Sequence, residues 1–372
     1  MLSEHLGYLQ DRRRLARFKE AIASVVQRGD RVADLGCGSG LLGMMCLQAG
    51  ATHAYEIESE PIIIAARQSF ERAGLADRAT FLRTRSFVAE LPEPVDLAIC
   101  DHVGYFGVDY GILELLRDAR DRLLKPGGRL APAGLKLYLG AVQSPTCRDS
   151  VDAWSNPEIP SEFRWLGQHN INTKHSAKLE PDHLLSAPVE LCYLDFYQDQ
   201  PDFFSWTAEL RISRDGVFHG LAGWFDCKLA DDVWMTNSPL SDEAIDRQQA
   251  FFPISEPVEV RAGALVTAKV RTRPDDHMIA WTVEFPATGR TFKHSTLDGM
   301  VLDAGDLMHG LPERVPLLSP EGRARVTVLS YCDGRRTARE VEQAVLAEHP
   351  MLLPSKREIS RFVASVLSKD AT

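Results

Sequence analysis

Gly36, Gly38 and Gly40 follow directly on the run Val32-Ala33-Asp34-Leu35, and a helical pattern from Leu41 to Ala49 follows directly on them. A strand that turns through three alternating glycines into a helix restricts the fold more than any other stretch of this chain. Glycine lets the backbone turn tightly there and approach a ligand closely. The neighbourhood repeats the rhythm. Short apolar strands are expected near His53 to Ile57, Thr80 to Leu82 and Val95 to Cys100, with helices over residues 11–28, Pro61 to Ala73 and Ile112 to Leu124 between them. Strand alternating with helix predicts a doubly wound parallel sheet over residues 1–130.

The loop also says which ligands fit. Nicotinamide and flavin enzymes need glycine at position 41, where this chain has Leu41, and a phosphate-binding lysine is absent. Phosphate cradling therefore loses on both counts. Asp34 stands two residues before the first glycine and Glu58 at the end of the next strand, placed to take the ribose hydroxyls of an adenosine. The pattern D-L-G-x-G-x-G suits S-adenosylmethionine, which is positively charged and carries no phosphate.

Composition closes off other classes. A hydrophobic content of 44% excludes a disordered or collagenous chain. Seven dispersed cysteines without a CxxC spacing predict reduced thiols in a cytoplasm, with neither a disulfide framework nor a metal site. The charged N-terminus predicts no signal peptide, and no stretch approaches the roughly 20 apolar residues that cross a bilayer. A net charge of −10 argues against a duplex nucleic-acid partner, whose phosphates require surplus Lys and Arg. Residues 131–300 are β-rich and punctuated by Gly, Pro and Asp, with a polar, irregular stretch near 145–185 that reads as an inserted arm. This pattern predicts an antiparallel barrel or sandwich.

The stretch Val32 to Glu58 resembles the cofactor motif of the protein arginine methyltransferases. The resemblance extends through His5-Leu-Gly-Tyr8-Leu-Gln-Asp11-Arg-Arg-Arg14, Asp101-His-Val-Gly104-Tyr105, Leu221-Ala-Gly-Trp224-Phe225-Asp226, Ser238-Pro239 and Gln249-Ala-Phe-Phe-Pro253, and covers roughly residues 5–298. It implies a Rossmann-like class I methyltransferase domain followed by an antiparallel β-barrel, and a head-to-tail homodimer contacting through the arm. It also implies S-adenosylmethionine as cofactor, held by Arg14 at the methionine carboxylate and by Asp34, Gly36, Cys37, Gly38, Gly40, Glu58 and Ser86. Asp101, Tyr105 and Tyr110 become the catalytic candidates.

The chain departs from that family where the acceptor sits. The family pins a guanidinium between two glutamates, because a group with a pKa above 12 must have its charge held away from the attacking nitrogen. Here the first glutamate is Asp101 and the second Tyr110, with Asp109 one residue out of register. Ile245-Asp246-Arg247 replaces a threonine-histidine-tryptophan loop, although His5 and Asp11, which could support it, remain. Four readings follow: an arginine held by Asp101 with Asp109 or Asp246; a histidine imidazole fixed by one carboxylate; a catalytically inactive binding module; a free amino acid or small metabolite. His102 is a general base or simply packed, and Trp224 and Trp234 read as core.

Residues 308–372 form a separate helical pattern. Ser319-Pro320 opens a helix, and Thr337-Ala-Arg-Glu340 and Ser355-Lys-Arg-Glu358 are capping boxes. The phrase from Leu329 through Cys332-Asp333-Gly334 to Glu340-Val341 resembles the winged-helix domain that binds leader peptides in ribosomal peptide natural-product pathways. That likeness implies an exposed strand edge able to add a leader peptide as an extra strand, tethering a precursor near the methylation site. The alternative is a helical cap with a structural role.

Overall fold

Strands that lie in the middle of a parallel sheet are covered by helices on both faces, so they read as unbroken apolar runs. The computed structural model, which describes residues 2–309 and 311–371, has five strands, β1 (Arg31–Leu35), β2 (His53–Ile57), β3 (Ala79–Leu82), β4 (Val95–Ile99) and β5 (Leu124–Ala131), of which the central β1, β2 and β4 are almost wholly buried although each carries a charged residue. They are parallel and ordered β3-β2-β1-β4-β5. Helices α1 (Leu2–Gln10), α2 (Arg12–Val25), α3 (Leu41–Ala49), α4 (Ile63–Arg72) and α5 (Ile112–Asp118) accompany them. Strand order reverses between β1 and β4, which opens a crevice at their carboxyl ends. The glycine loop leaves β1 there, and Asp101 follows β4 across from it.

The β-rich half consists of β6 (Gly134–Val142), β7 (His175–Ala177), β8 (Val189–Asp195), β9 (Phe204–Arg211), β10 (Gly216–Lys228), β11 (Trp234–Thr236), β12 (Gln249–Val260), β13 (Leu265–Arg273), β14 (Met278–Phe285) and β15 (Arg290–Ser295). The expected barrel does not close. One sheet runs β7-β12-β10-β6-β8 with β11 against β10, and a second runs β15-β14-β13-β9. The reason lies in the alternation of β9, β13 and β14, whose buried and exposed residues take turns. A strand with one apolar face is satisfied by a facing layer and needs no ring closure. The layers meet through Phe252 against Trp281 and Phe218 against Phe285.

Phe106, fully buried in the loop after β4, packs on Phe252 and Trp206 of this core, and a Cβ at Gly223 would meet its ring. One aromatic residue thus fixes the loop that carries Asp101 to both halves of the unit, which spans residues 1–301. The arm contains α6 (Pro145–Asp152) and α7 (Gly167–Asn170) and packs a small core of its own around Trp224 and Phe251.

Residues 302–372 form a second unit with α8 (Ala304–His309), α9 (Pro320–Leu329), α10 (Ala338–Glu348) and α11 (Lys356–Asp370). Thr337 and Glu340 cap α10 reciprocally and Ser355 accepts from the Glu358 N–H, as their spacing predicts. Val328, Val341, Val345, Ile359 and Val363 make its core. Among the described residues this unit has no strand, so the wing of a winged helix and the expected strand edge are missing. Pro312 and Pro316 before α9, and Pro350 and Pro354 before α11, remove ladder donors from the segments that could have supplied them.

Candidate active site

A cavity of about 570 Å³ lies over the carboxyl ends of β1 and β4, of a size that suits a cofactor together with a small acceptor. Its floor is the glycine loop. Gly36 has a φ of +64°, and a Cβ there would overlap the His102 imidazole, so the residue is glycine for two independent reasons. Glu58 fastens the loop from behind: its Oε2 accepts from the Gly38 N–H at 3.1 Å and its Oε1 from the Glu60 N–H at 2.8 Å. The remaining acceptor capacity of a carboxylate in that position suits a pair of hydroxyls.

At the floor sits a buried acid pair. Asp34 Oδ2 accepts from the Gly43 N–H at 2.8 Å, and burial raises the Asp34 carboxyl to about 7 despite that bond. Its register neighbour Glu56 is also buried and faces the Asp34 carboxyl, with which it can share a proton. Burial first and the Asp34 charge second push Glu56 well above the usual carboxylate range. A Cβ at Gly43 would overlap Glu56 Oε1, so the glutamate occupies space that a larger residue 43 would need.

The wall opposite is cationic. Asp11 caps α2 by accepting from the Arg14 N–H at 3.0 Å. Arg14 then turns inward: its Nη1 donates to the Tyr8 carbonyl at 2.8 Å, and its Nε and Nη2 approach Asp101 Oδ2 at 2.6 and 2.5 Å. The side chains of this pair are 7% and 10% exposed. The Tyr8 and Phe18 rings flank the guanidinium at 4.8 and 5.6 Å. A buried guanidinium with one carboxylate partner suits a carboxylate-bearing cofactor, and with the glycine loop and Glu58 it makes the residues present fit S-adenosylmethionine.

Asp101 Oδ1 is buried with no hydrogen-bond partner among the described residues, and so is the adjacent His102 Nδ1. Burial keeps the His102 pKa below its ordinary value, so the ring is neutral at pH 7. Tyr105 and Tyr110 line the cavity with their rings edge to face at 6.5 Å, Tyr110 being 57% exposed. Asp109 is turned away: its Oδ1 accepts from the Phe106 N–H at 2.9 Å and its Oδ2 pairs with Lys174. One oxygen is spent inside its own loop and the other on the arm.

The remaining expected residues fall unequally. Cys37 lines the cavity, its thiol pushed up by burial. Ser86 is not among the lining residues, and its carbonyl is taken by Arg122. Asp11 does support the loop at 245–247, since its Oδ2 accepts from the Asp246 N–H at 2.9 Å. Sequence reasoning missed Arg247. It lines the cavity, 12% exposed, with Nη2 3.9 Å from Asp101 and its guanidinium 5.8 Å from the Tyr8 ring centre. The signal was present, as a cation standing where the related family has tryptophan, but spacing alone could not show what it would face.

Comparison with known proteins agrees with this layout. Residues 19–136 match the model of ribosomal protein L11 methyltransferase (PrmA), and residues 135–285 match the arginine methyltransferase oligomerization subdomain. A probable protein arginine N-methyltransferase 6 from Arabidopsis thaliana is 27% identical over 288 residues, covering 75% of this chain and 64% of the relative. An arginine N(omega)-methyltransferase from Streptomyces achromogenes is 26% identical over 275 residues, covering 72% of this chain and 75% of the relative. The Trypanosoma brucei PRMT1 enzyme-prozyme complex with AdoHcy superposes with a TM-score of 0.70 at 20% identity, over 79% of this chain and 98% of that one. Arabidopsis thaliana protein arginine methyltransferase 10 gives 0.68 at 20% identity, over 80% and 98%.

Proposed function

From the premise that this chain is an S-adenosylmethionine-dependent methyltransferase similar to the protein arginine methyltransferases, we propose that it methylates a guanidinium nitrogen. The carrying observation is the Arg14–Asp101 pair at the cavity's seam, a buried cation for the cofactor's carboxylate beside a carboxylate for the acceptor. Bound S-adenosylmethionine supplies an electrophilic methyl on a sulfonium. Asp101 accepts an N–H from the acceptor and draws its positive charge toward itself, leaving another nitrogen's lone pair in line. As the new N–C bond forms and the C–S bond breaks, the acceptor nitrogen sheds a proton, and Asp101 Oδ1 is placed to receive it. Tyr105 and Tyr110 line the slot and exclude water from one side.

The finer assignments belong to the same proposal. Arg14, Asp34, Gly36, Cys37, Gly38, Gly40 and Glu58 hold the cofactor. The chain works in the cytoplasm as a homodimer, on a peptide or protein acceptor, and residues 308–372 hold the leader of a ribosomally made precursor. With no strand among the described residues of the tail, that leader would dock on a helical surface. The family match to an oligomerization subdomain supports the dimer. Mass spectrometry of arginine-containing peptides incubated with the enzyme and cofactor tests the reaction. A gain of one methyl on the guanidinium is expected, and full turnover by Asp101→Ala with cofactor still bound would sink the assignment.

A further inference from the structure

Three charged groups meet at the acceptor end of the cavity. Arg14 and Arg247 both approach Asp101 Oδ2, at 2.5 and 3.9 Å, and both guanidinium groups lie over the Tyr8 ring. The trio carries one net positive charge. Arg14 is satisfied, with hydrogen bonds to Asp101 and the Tyr8 carbonyl. The Arg247 guanidinium makes no hydrogen bond among the described residues, and its one ion pair is the 3.9 Å approach to a carboxylate that Arg14 already holds. A guanidinium has five N–H donors and cannot shed its charge, so leaving it 12% exposed with one distant, shared carboxylate is costly unless something arrives to meet it.

The nearby acids do not meet it. Asp11 spends one oxygen on the Arg14 N–H and the other on the Asp246 N–H. Asp246 is exposed and faces Lys178 at 3.5 Å, so that pair cancels itself. Asp34 lies in the floor at the glycine loop, with its Oδ2 taken by the Gly43 N–H.

We propose that Arg247 binds a carboxylate carried by the acceptor itself, so that this site selects a guanidinium with an anionic group close by. The inference rests on the guanidinium reading above and narrows it. With the cofactor's carboxylate on Arg14, Asp101 and Arg247 form a vacant minus–plus pair. A simple guanidinium would satisfy Asp101 but meet Arg247 as a like charge, whereas a zwitterion satisfies both. Charge-assisted, bidentate contact is what an arginine offers a carboxylate. The carboxylate can come from the α-carboxyl of a free amino acid or from an acidic residue beside an arginine in a peptide.

Two matched pairs of probes separate these sources. Calorimetry on the full chain loaded with S-adenosylhomocysteine, and methyl transfer with S-adenosylmethionine, compare L-arginine with agmatine, which lacks the carboxylate. They also compare a capped Arg-Asp peptide with its Arg-Asn counterpart. In at least one pair the carboxylate member should be favoured about 10- to 100-fold, the range of a hydrogen bond to a charged group. In Arg247→Gln that ratio should fall to near one, with Arg247→Lys intermediate. The L-arginine pair responding alone assigns a free amino acid; the peptide pair responding alone assigns an acidic neighbour. Equal use of both members in both pairs, or a preference that survives Arg247→Gln, overturns the proposal. So does weakened S-adenosylhomocysteine binding in Arg247→Gln with the preference intact, because Arg247 would then serve the cofactor. If no probe binds or gains a methyl while S-adenosylhomocysteine binds, the guanidinium reading itself fails and the Arg247 assignment fails with it.

Discussion

At the glycine-loop end of the cavity, Asp34 and Glu58 are held by backbone N–H groups, while at the far end Asp101 is held by side chains, one arginine close and a second at 3.9 Å. Backbone donors are fixed by the fold and present one arrangement. Side-chain partners can be exchanged when a charged ligand arrives. The first end is therefore built for one unchanging cofactor, and the second is where related enzymes can diverge in what they methylate. The sharpest way to break this contrast is at the rigid end. In Gly36→Val the new side chain has to displace His102 from a backbone at φ +64°, a combination expected to cost roughly 2–4 kcal/mol of stability. Binding of S-adenosylhomocysteine, read by calorimetry, should weaken at least about 100-fold, a change of about 2.7 kcal/mol. Affinity within threefold of the parent would mean that the loop tolerates rearrangement.

The exchangeable end should answer in two opposite directions. Asp101→Asn removes the carboxylate proposed to orient the acceptor, so turnover should drop about 100-fold or more, in the range of a lost acid–base group. The same change releases Arg14 from its ion pair before a cofactor carboxylate arrives. S-adenosylhomocysteine should then bind a few-fold more tightly, since it no longer competes with Asp101 for the guanidinium. Parallel losses of binding and turnover would show that Asp101 positions Arg14 for the cofactor and that the exchange does not occur.

Legibility in the sequence follows the same division. The parallel sheet and its glycine loop could be read because local pattern and burial agree there: short strands alternating with helices, glycines at positive φ, and an acidic residue near the end of each of two strands. Barrel closure could not be read, because β9, β13 and β14 show the same alternation whether they curl into a ring or face another sheet. The fate of Asp109 was hidden for a different reason. Its partner Lys174 lies 65 residues away on the arm, and only the folded chain shows that the pair removes Asp109 from the cavity. Arg247 is the same case: its position was visible, and its long, shared approach to Asp101 was not.

A smaller effect tests the acid pair beneath the rigid end. Asp34 titrates near 7 and Glu56 well above its ordinary value of 4.5, so the folded protein keeps protons that the unfolded chain has released by neutral pH. The stability this pair contributes is complete below about pH 4 and is lost as pH rises through about 7. Glu56→Gln needs no proton and can donate its amide to Asp34. Its melting temperature should match the parent at pH 4 and exceed it by about 2–4 °C at pH 8, equivalent to about 1 kcal/mol. An unchanged difference across that range would show that the pair is already ionised in the fold.

For a short acceptor the smallest effect is expected from the second unit. The core of the first unit draws on residues from Phe18 to Phe292, and the tail packs a core of its own from Val328 to Val366. Removing residues 302–372 therefore takes no side chain from the first core and none from the cavity lining. Turnover of a short acceptor by the truncated chain should stay within about twofold of the parent. A long precursor is different, because a leader held on the tail raises the effective concentration of the acceptor, and its loss should cost about 100-fold or more in kcat/KM. A ratio that stays constant between short and long acceptors would make the tail structural. A short acceptor that fails on a chain still folded by circular dichroism would instead tie the tail to the exchangeable end of the site, and the division between the two ends would need redrawing.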